Sequence, residues 1–135
     1  MSFREKSAWV MAVVMAITGL LYIGLVHGAS PDAPVMGPLL PYVLAVIALS
    51  VVVQVVLAVM SPREASAPMD EREKLVAAKA GQVSGVVLAV LVVLSGGVYV
   101  FLPHGNMLFH HLLGGLIVAQ IVDYAVQIRL LRRGY

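Results

Sequence analysis

Three long stretches of the chain contain no formally charged residue: 7–31, 33–62 and 80–122. A helix that crosses the hydrocarbon core of a bilayer needs about 20 consecutive apolar residues. Breaks that contain Pro and Gly, near 28–38 and 103–106, divide the uncharged stretches. The pattern therefore predicts four membrane spans: about 8–26, 39–60, 80–102 and 107–128.

The only strongly polar stretch lies between the second and third spans, at 61–79. Pro62 and Pro68 are expected to end the helix that precedes them. Asp70 and Glu73 have the spacing of a capping box, in which each side chain satisfies a backbone amide of the first helical turn. The third helix is therefore predicted to begin in water near Asp70 and to exceed 30 residues.

The composition leaves little room for a part outside the membrane. Of 135 residues, 61% are hydrophobic and 12% are charged, whereas soluble domains are about 25% charged. We therefore expect a single all-α membrane domain over 1–135, a four-helix bundle of two tandem hairpins. The absence of Cys excludes disulfides and thiolate metal sites. Nine basic and seven acidic residues do not make a nucleic-acid-binding surface.

The distribution of Lys and Arg predicts the orientation. All nine lie in the N-terminal segment, in the 61–79 loop or in the C-terminal tail, and the other two loops have none. Basic residues near span ends stay on the cytoplasmic side. The pattern thus predicts a multi-pass inner-membrane protein with both termini in the cytoplasm, and its basic ends can contact anionic membrane lipids.

The ends of the first and third spans share a pattern. Thr18-Gly19-x-x-Tyr22-x-x-x-x-His27-Gly28 aligns with Ser95-Gly96-x-x-Tyr99-x-x-x-x-His104-Gly105, and each pair is 77 residues apart. Internal duplication of a hairpin explains this pattern, as in transporters built from parallel repeats. The alternative is that Tyr and His independently prefer the membrane interface.

Small residues recur on one face of two of the spans. Ala77, Gly81, Gly85 and Ala89 do so on the third helix, and Ala8, Ala12, Ala16 and Gly19 on the first. Such seams allow close helix packing in lipid. They can join helices within one chain, which we favour, or the copies of a homo-oligomer.

Asp123 is the only charged residue inside a predicted span. An ionised carboxylate in the bilayer centre costs about 2.5–3.5 kcal/mol on insertion scales, so it should face the bundle interior. Gln120, Tyr124 and Gln127 share its side of the helix, and Gln54 is a candidate partner from the second span. This set predicts a polar site between the hairpins for a solute or ion. The alternative is that Asp123 lies near the head groups and bonds to Gln54 or water.

All four histidines fall at the predicted outer end, near Tyr22 and Tyr99: His27, His104, His110 and His111. Imidazole is the commonest protein metal ligand, so the cluster allows a metal or haem site. The sequence has no His-x-x-x-His pair, and we favour the interpretation that these are ordinary interface histidines. Folding the last hairpin about its turn pairs His110 with Tyr99 and Gln127 with Gln82.

We therefore hypothesise a non-enzymatic membrane protein that binds or translocates a small solute, ion or lipid between its hairpins. Soluble-type catalytic signatures, such as Gly-x-Ser-x-Gly or a phosphate-binding loop, are absent from the sequence. Two alternatives remain open: a haem- or metal-binding protein that uses the outer histidines, and a scaffold or regulatory subunit whose Asp70–Lys74 segment contacts a partner.

The segment Asp70-Glu71-Arg72-Glu73-Lys74-Leu75, the Ala- and Gly-bearing span after it and the terminal Arg-Arg-Gly form one further pattern. Over residues 68–135, the chain resembles uncharacterised small bacterial integral membrane proteins that carry an Asp-Glu-Arg-acidic motif before a transmembrane hairpin. The resemblance implies a bacterial inner-membrane location and no specific activity.

Overall fold

A computed structural model of the chain describes residues 1–133. Within that range the protein is all-helical: α1 (Phe3–Gly28), α2 (Met36–Met60), α3 (Pro62–Ser66), α4 (Glu71–Phe101) and α5 (Gly105–Arg133). The four longer helices are long and apolar enough to cross a membrane, which confirms the all-α, multi-pass architecture. Gly134, which ends the Arg-Arg-Gly segment, and Tyr135, which ends the predicted domain, lie outside the described residues.

Several proline and glycine residues that the sequence assigns to breaks lie inside helices or start them. Pro38 lies in the first turn of α2, where the missing N–H has no intrahelical partner to lose, and Pro41 lies inside the same helix. Pro62 starts the five-residue helix α3 instead of only ending α2. Gly105 starts α5, so the turn between α4 and α5 is shorter than the predicted 103–106.

The start of α4 agrees with the prediction. Asp70 is the N-cap, and its side chain accepts a hydrogen bond from the Glu73 amide at 2.6 Å. The Glu73 carboxylate accepts in return from the Asp70 amide at 3.3 Å, which completes the capping box. The helix then continues for 31 residues, as expected for a span that begins in water.

The helices pack in the order α2–α1–α5–α4. A Cβ built on Gly19 of α1 would lie 2.9 Å from the Ile117 side chain of α5, so glycine permits that close approach. Gly115 of α5 meets Leu91 of α4 in the same way, at 3.3 Å. The two helices of each hairpin, α1 with α2 and α4 with α5, therefore pack against each other. The two hairpins contact each other through α1 and α5.

Polar contacts fasten three helices together at one end, which we call the basic end: the start of α1, the 61–70 segment, the start of α4 and the end of α5. Arg132 of α5 donates to the buried Glu5 of α1 at 2.8 Å. Arg72 of α4 donates to the Leu131 carbonyl of α5 at 3.0 Å. Both described chain ends therefore lie at the same end of the molecule. Arg72 of the Asp-Glu-Arg-acidic motif serves a contact within the chain.

The two small-residue seams differ in burial. On α1, Ala8 and Gly19 are buried, as predicted for a contact within the chain. On α4, Gly81, Gly85 and Ala89 are exposed, so our preferred interpretation of that seam as an intramolecular contact is wrong. The helix instead buries a neighbouring stripe that contains Val76, Ala80 and Ser95.

A groove at the histidine end as the candidate functional site

A groove separates the two hairpins at the end opposite the basic end. We call this the histidine end: the 29–35 loop, the 102–104 turn and the adjoining helix ends. Arg4 of α1 lies 3.8 Å from Glu73 of α4, which places the two helices near each other at the basic end. Their groove-lining residues fall only in the other half of each helix, at 16–27 and 91–98. The helices α1 and α4 thus diverge towards the histidine end, and α5 lies between them.

The groove has a volume of about 960 Å³ and a mainly apolar lining. Its floor on α5 includes Gly114, Val118 and Ile121. Its walls include Leu20 and Ile23 from α1 and Leu94 and Val98 from α4. A cavity of this size with few polar groups is typical of a small-molecule binding site.

All four histidines line this groove: His27, His104, His110 and His111. The predicted clustering of the histidines at one end is therefore observed. The sequence predicts only that the four histidines lie at the outer ends of the spans. Their arrangement around a single groove depends on α1 crossing α5, which the sequence pattern does not specify.

His110 is held in place by a tyrosine of the other hairpin. Its Nδ1 shares a hydrogen bond with the Tyr22 hydroxyl, and the two rings lie 5.7 Å apart. Tyr22 is only 2% exposed, and its ring packs 5.1 Å from the Tyr42 ring of α2. The buried cluster of Met15, Tyr22, Tyr42 and Ile117 thus fixes the edge of the groove.

The other histidines keep hydrogen-bonding atoms free. His27 Nδ1–H donates to the Ile23 carbonyl at 3.0 Å. Since a carbonyl only accepts, the Nδ1 atom carries the proton and Nε2 of the neutral ring is an acceptor. Among the described residues, the side chains of His104 and His111 have no hydrogen-bond partner.

Two polar residues that sequence reasoning did not assign to a site also line the groove. Asn106 Nδ2 donates to the Ala33 carbonyl at 3.0 Å, which ties the 29–35 loop to the start of α5. Ser95 Oγ donates to the Leu91 carbonyl one turn earlier at 2.7 Å, so its remaining lone pair can accept. The sequence signal for Ser95 is its alignment with Thr18 in the repeated pattern, and that for Asn106 is a polar side chain next to an apolar span.

Tyr99 lies outside the groove and is 39% exposed. The predicted pairing of His110 with Tyr99 is wrong, because α5 places His110 against Tyr22. The two copies of the sequence pattern therefore differ at Tyr. They agree at the hydroxyl position, where Thr18 Oγ1 donates to the Val14 carbonyl at 2.7 Å, as Ser95 does to Leu91.

Four members of the predicted inner polar set interact along α5, and Gln54 does not join them. Asp123 accepts from Gln127 Nε2 at 2.8 Å on its own helix, and this replaces the predicted pairing of Gln127 with Gln82. Gln54 pairs instead with Ser7 of α1, through bonds of 2.9 and 3.2 Å. Tyr124 packs against the buried tyrosine cluster and shares a side-chain hydrogen bond with the half-buried Gln120.

Asp123 also points away from the groove. It follows Gly114 by nine residues, and at about 100° per residue this turns it roughly 180° from the groove floor. The groove and the Asp123–Gln127 pair thus occupy opposite faces of α5.

The described residues contain no group of three His, Asp or Glu side chains placed to hold a metal ion. His110 and His27 each use one ring nitrogen within the protein. The four histidines therefore line a cavity and do not converge on one position that a metal ion could occupy.

No known protein family, curated protein or solved structure matches this chain. The geometry of the groove is thus the main evidence on function.

Proposed function

We propose that this protein is a non-enzymatic membrane protein that binds one amphiphilic molecule in the groove between its hairpins. The observation that carries the proposal is the groove itself, an apolar cavity of about 960 Å³ with all four histidines in its lining. An amphiphile has the same division: an apolar chain for the lining, and a polar head for the imidazoles and Asn106.

The position of the groove supports a ligand that arrives from the bilayer. Its walls are the membrane-spanning parts of α1 and α4, whose faces outside the groove expose large apolar side chains such as Ile17, Val93 and Val100. These faces suit lipid, so a membrane-dissolved molecule can reach the cavity without crossing water.

The orientation belongs to the proposal. The basic end carries the Lys and Arg residues, and we propose that it faces the cytoplasm at a bacterial inner membrane. The groove then opens towards the outer leaflet. Asp123 lies outside the groove, so the proposal is binding, and a translocation path through Asp123 is not part of it.

A groove-filling variant tests the proposal. A Cβ on Gly114 meets nothing within 4 Å, so Gly114→Leu should fold and occupy space meant for the ligand chain. Gly97→Leu is the matched control, because Gly97 also has open space but does not line the groove. The assay is scintillation proximity binding of three tritiated probes with one chain and different heads: 1-oleoylglycerol, oleate and oleylamine.

Wild type should bind at least one probe saturably, with one molecule per chain. Gly114→Leu should weaken that binding about tenfold, because the added side chain occupies groove space and overpacking against the ligand chain costs about 1–3 kcal/mol. Gly97→Leu should stay within about twofold of wild type. The absence of saturable binding for every probe, or equal binding by Gly114→Leu, would contradict the proposal.

A further inference from the structure

The charge around the groove restricts the ligand head group. All nine Lys and Arg residues belong to the basic end or to the first turns of α4 beside it. In the 29–35 loop and the 102–104 turn, the only formally charged residue is Asp32. Asp32 is exposed, and it lies between Pro31 and Ala33, which both line the groove.

An anionic head group therefore meets no fixed positive charge at this end. Imidazoles are mostly neutral above pH 7, and Asp32 would repel an anion. Carboxylates and phosphates are usually held by Arg or Lys in charge-assisted hydrogen bonds. A cationic head group finds only one carboxylate, which is exposed to solvent and therefore attracts weakly.

The hydrogen-bonding atoms favour a head that both donates and accepts. Nε2 of His27 accepts, because its Nδ1–H is used by the Ile23 carbonyl. The Asn106 amide nitrogen is bonded to Ala33, and the lining also contains the unbonded imidazoles of His104 and His111. A neutral imidazole offers one donor and one acceptor. A hydroxyl matches both, whereas a carbonyl oxygen cannot donate to His27.

We infer that the groove selects an uncharged amphiphile whose head group carries hydroxyl groups. This inference rests on the proposed function and names the ligand class of the same groove. The apolar lining takes the chain, and the imidazoles of the histidine end exchange hydrogen bonds with the hydroxyls.

The three oleoyl probes test the inference, because only the head group differs. At pH 7.5, 1-oleoylglycerol should bind wild type at least about tenfold more tightly than oleate or oleylamine. His104→Lys should then strengthen oleate binding about threefold, since it places a cation on the groove lining and exposed ion pairs contribute about 0.2–1 kcal/mol. Met36→Lys is the matched control, because it adds the same charge at the same end on α2, outside the groove.

The outcomes separate the inference from the proposed function. If wild type binds oleate or oleylamine as tightly as 1-oleoylglycerol, the head-group inference is wrong and the groove remains a binding site. The inference is also wrong if Met36→Lys improves oleate binding as much as His104→Lys does. If no probe binds saturably, the proposed function itself fails.

Discussion

At the scale of single residues, glycine controls how closely the two hairpins approach each other. Gly19 allows Ile117 of α5 to lie against the backbone of α1. Gly24, five residues later on the same helix, has open space around it. The interior of a packed interface tolerates added volume poorly, because neighbouring side chains must leave their preferred positions. The same residue type therefore has different roles at two positions of α1.

The substitution Gly19→Ala should lower the free energy of unfolding by about 1–3 kcal/mol, because the new methyl group would lie 2.9 Å from the Ile117 side chain. Gly24→Ala is the control and should be neutral or slightly stabilising. Unfolding in mixed detergent and SDS micelles, followed by circular dichroism, measures both. Equal stability of the two variants would show that α1 and α5 do not meet at Gly19.

Residue-scale prediction from the sequence succeeds where the interaction is local. Asp70 and Glu73 cap α4 as expected, because both partners lie within one turn. Tyr22 and Tyr99 occupy equivalent places in the repeated pattern, yet Tyr22 is buried and Tyr99 is exposed. That difference depends on which helix packs against each tyrosine, and a neighbour 88 residues away leaves no mark on the local pattern.

At the scale of elements, α1, α4 and α5 are joined by polar contacts at the basic end and separated by the groove at the other. The join uses helix ends: the start of α1 supplies Glu5, the start of α4 supplies Arg72, and the end of α5 supplies Arg132. Arg132 also lies 5.3 Å from the Trp9 ring, a cation–π contact with α1. The polar start of α4 therefore also holds α4 against the end of α5.

A capping-box variant tests what holds the start of α4 in helical form. Asp70→Ala should cost about 1 kcal/mol of local helix stability, because the Glu73 amide loses its acceptor. Amides 71–74 should then exchange with deuterium about fivefold faster. Asp32→Ala, at the opposite end, is the control and should leave these amides unchanged. Unaltered exchange in Asp70→Ala would mean that the capping box does not hold the helix start.

The sequence predicted the four long apolar helices and the clustering of the histidines, because both follow from local composition. The groove could not be predicted, since it arises from the order α2–α1–α5–α4 and from the divergence of α1 and α4. Helical periodicity placed Asp123 with Gln127 on one face of α5, which the structure confirms. It could not show that Gln54 pairs with Ser7 instead, because that choice depends on the packing of α1 against α2.

At the scale of the whole molecule, the two ends differ in charge and in packing. The basic end is charged and tied by hydrogen bonds, whereas the histidine end has little charge and contains the groove. The proposed orientation, with the basic end in the cytoplasm, predicts that the groove opens to the outer leaflet.

Single-cysteine variants test the orientation, since the chain has no native cysteine. Ser30→Cys lies in the exposed loop at the histidine end, and Ser66→Cys lies in the exposed segment at the basic end. On intact bacterial spheroplasts, a membrane-impermeant maleimide should label Ser30→Cys at once and Ser66→Cys only after permeabilisation. The reverse pattern would place the groove in the cytoplasmic leaflet.

The central claim is that the groove holds one amphiphile, and site mapping with a photoactivatable ligand tests it most directly. Membranes that contain the protein would receive a diazirine-bearing 1-oleoylglycerol, and the labelled peptides would be identified by mass spectrometry. We predict labelling concentrated on groove residues such as Leu94, Val98 and Val118 and abolished by excess unlabelled 1-oleoylglycerol. Labelling spread evenly over lipid-facing residues such as Leu44 and Ile47 of α2, and unaffected by competitor, would contradict the claim.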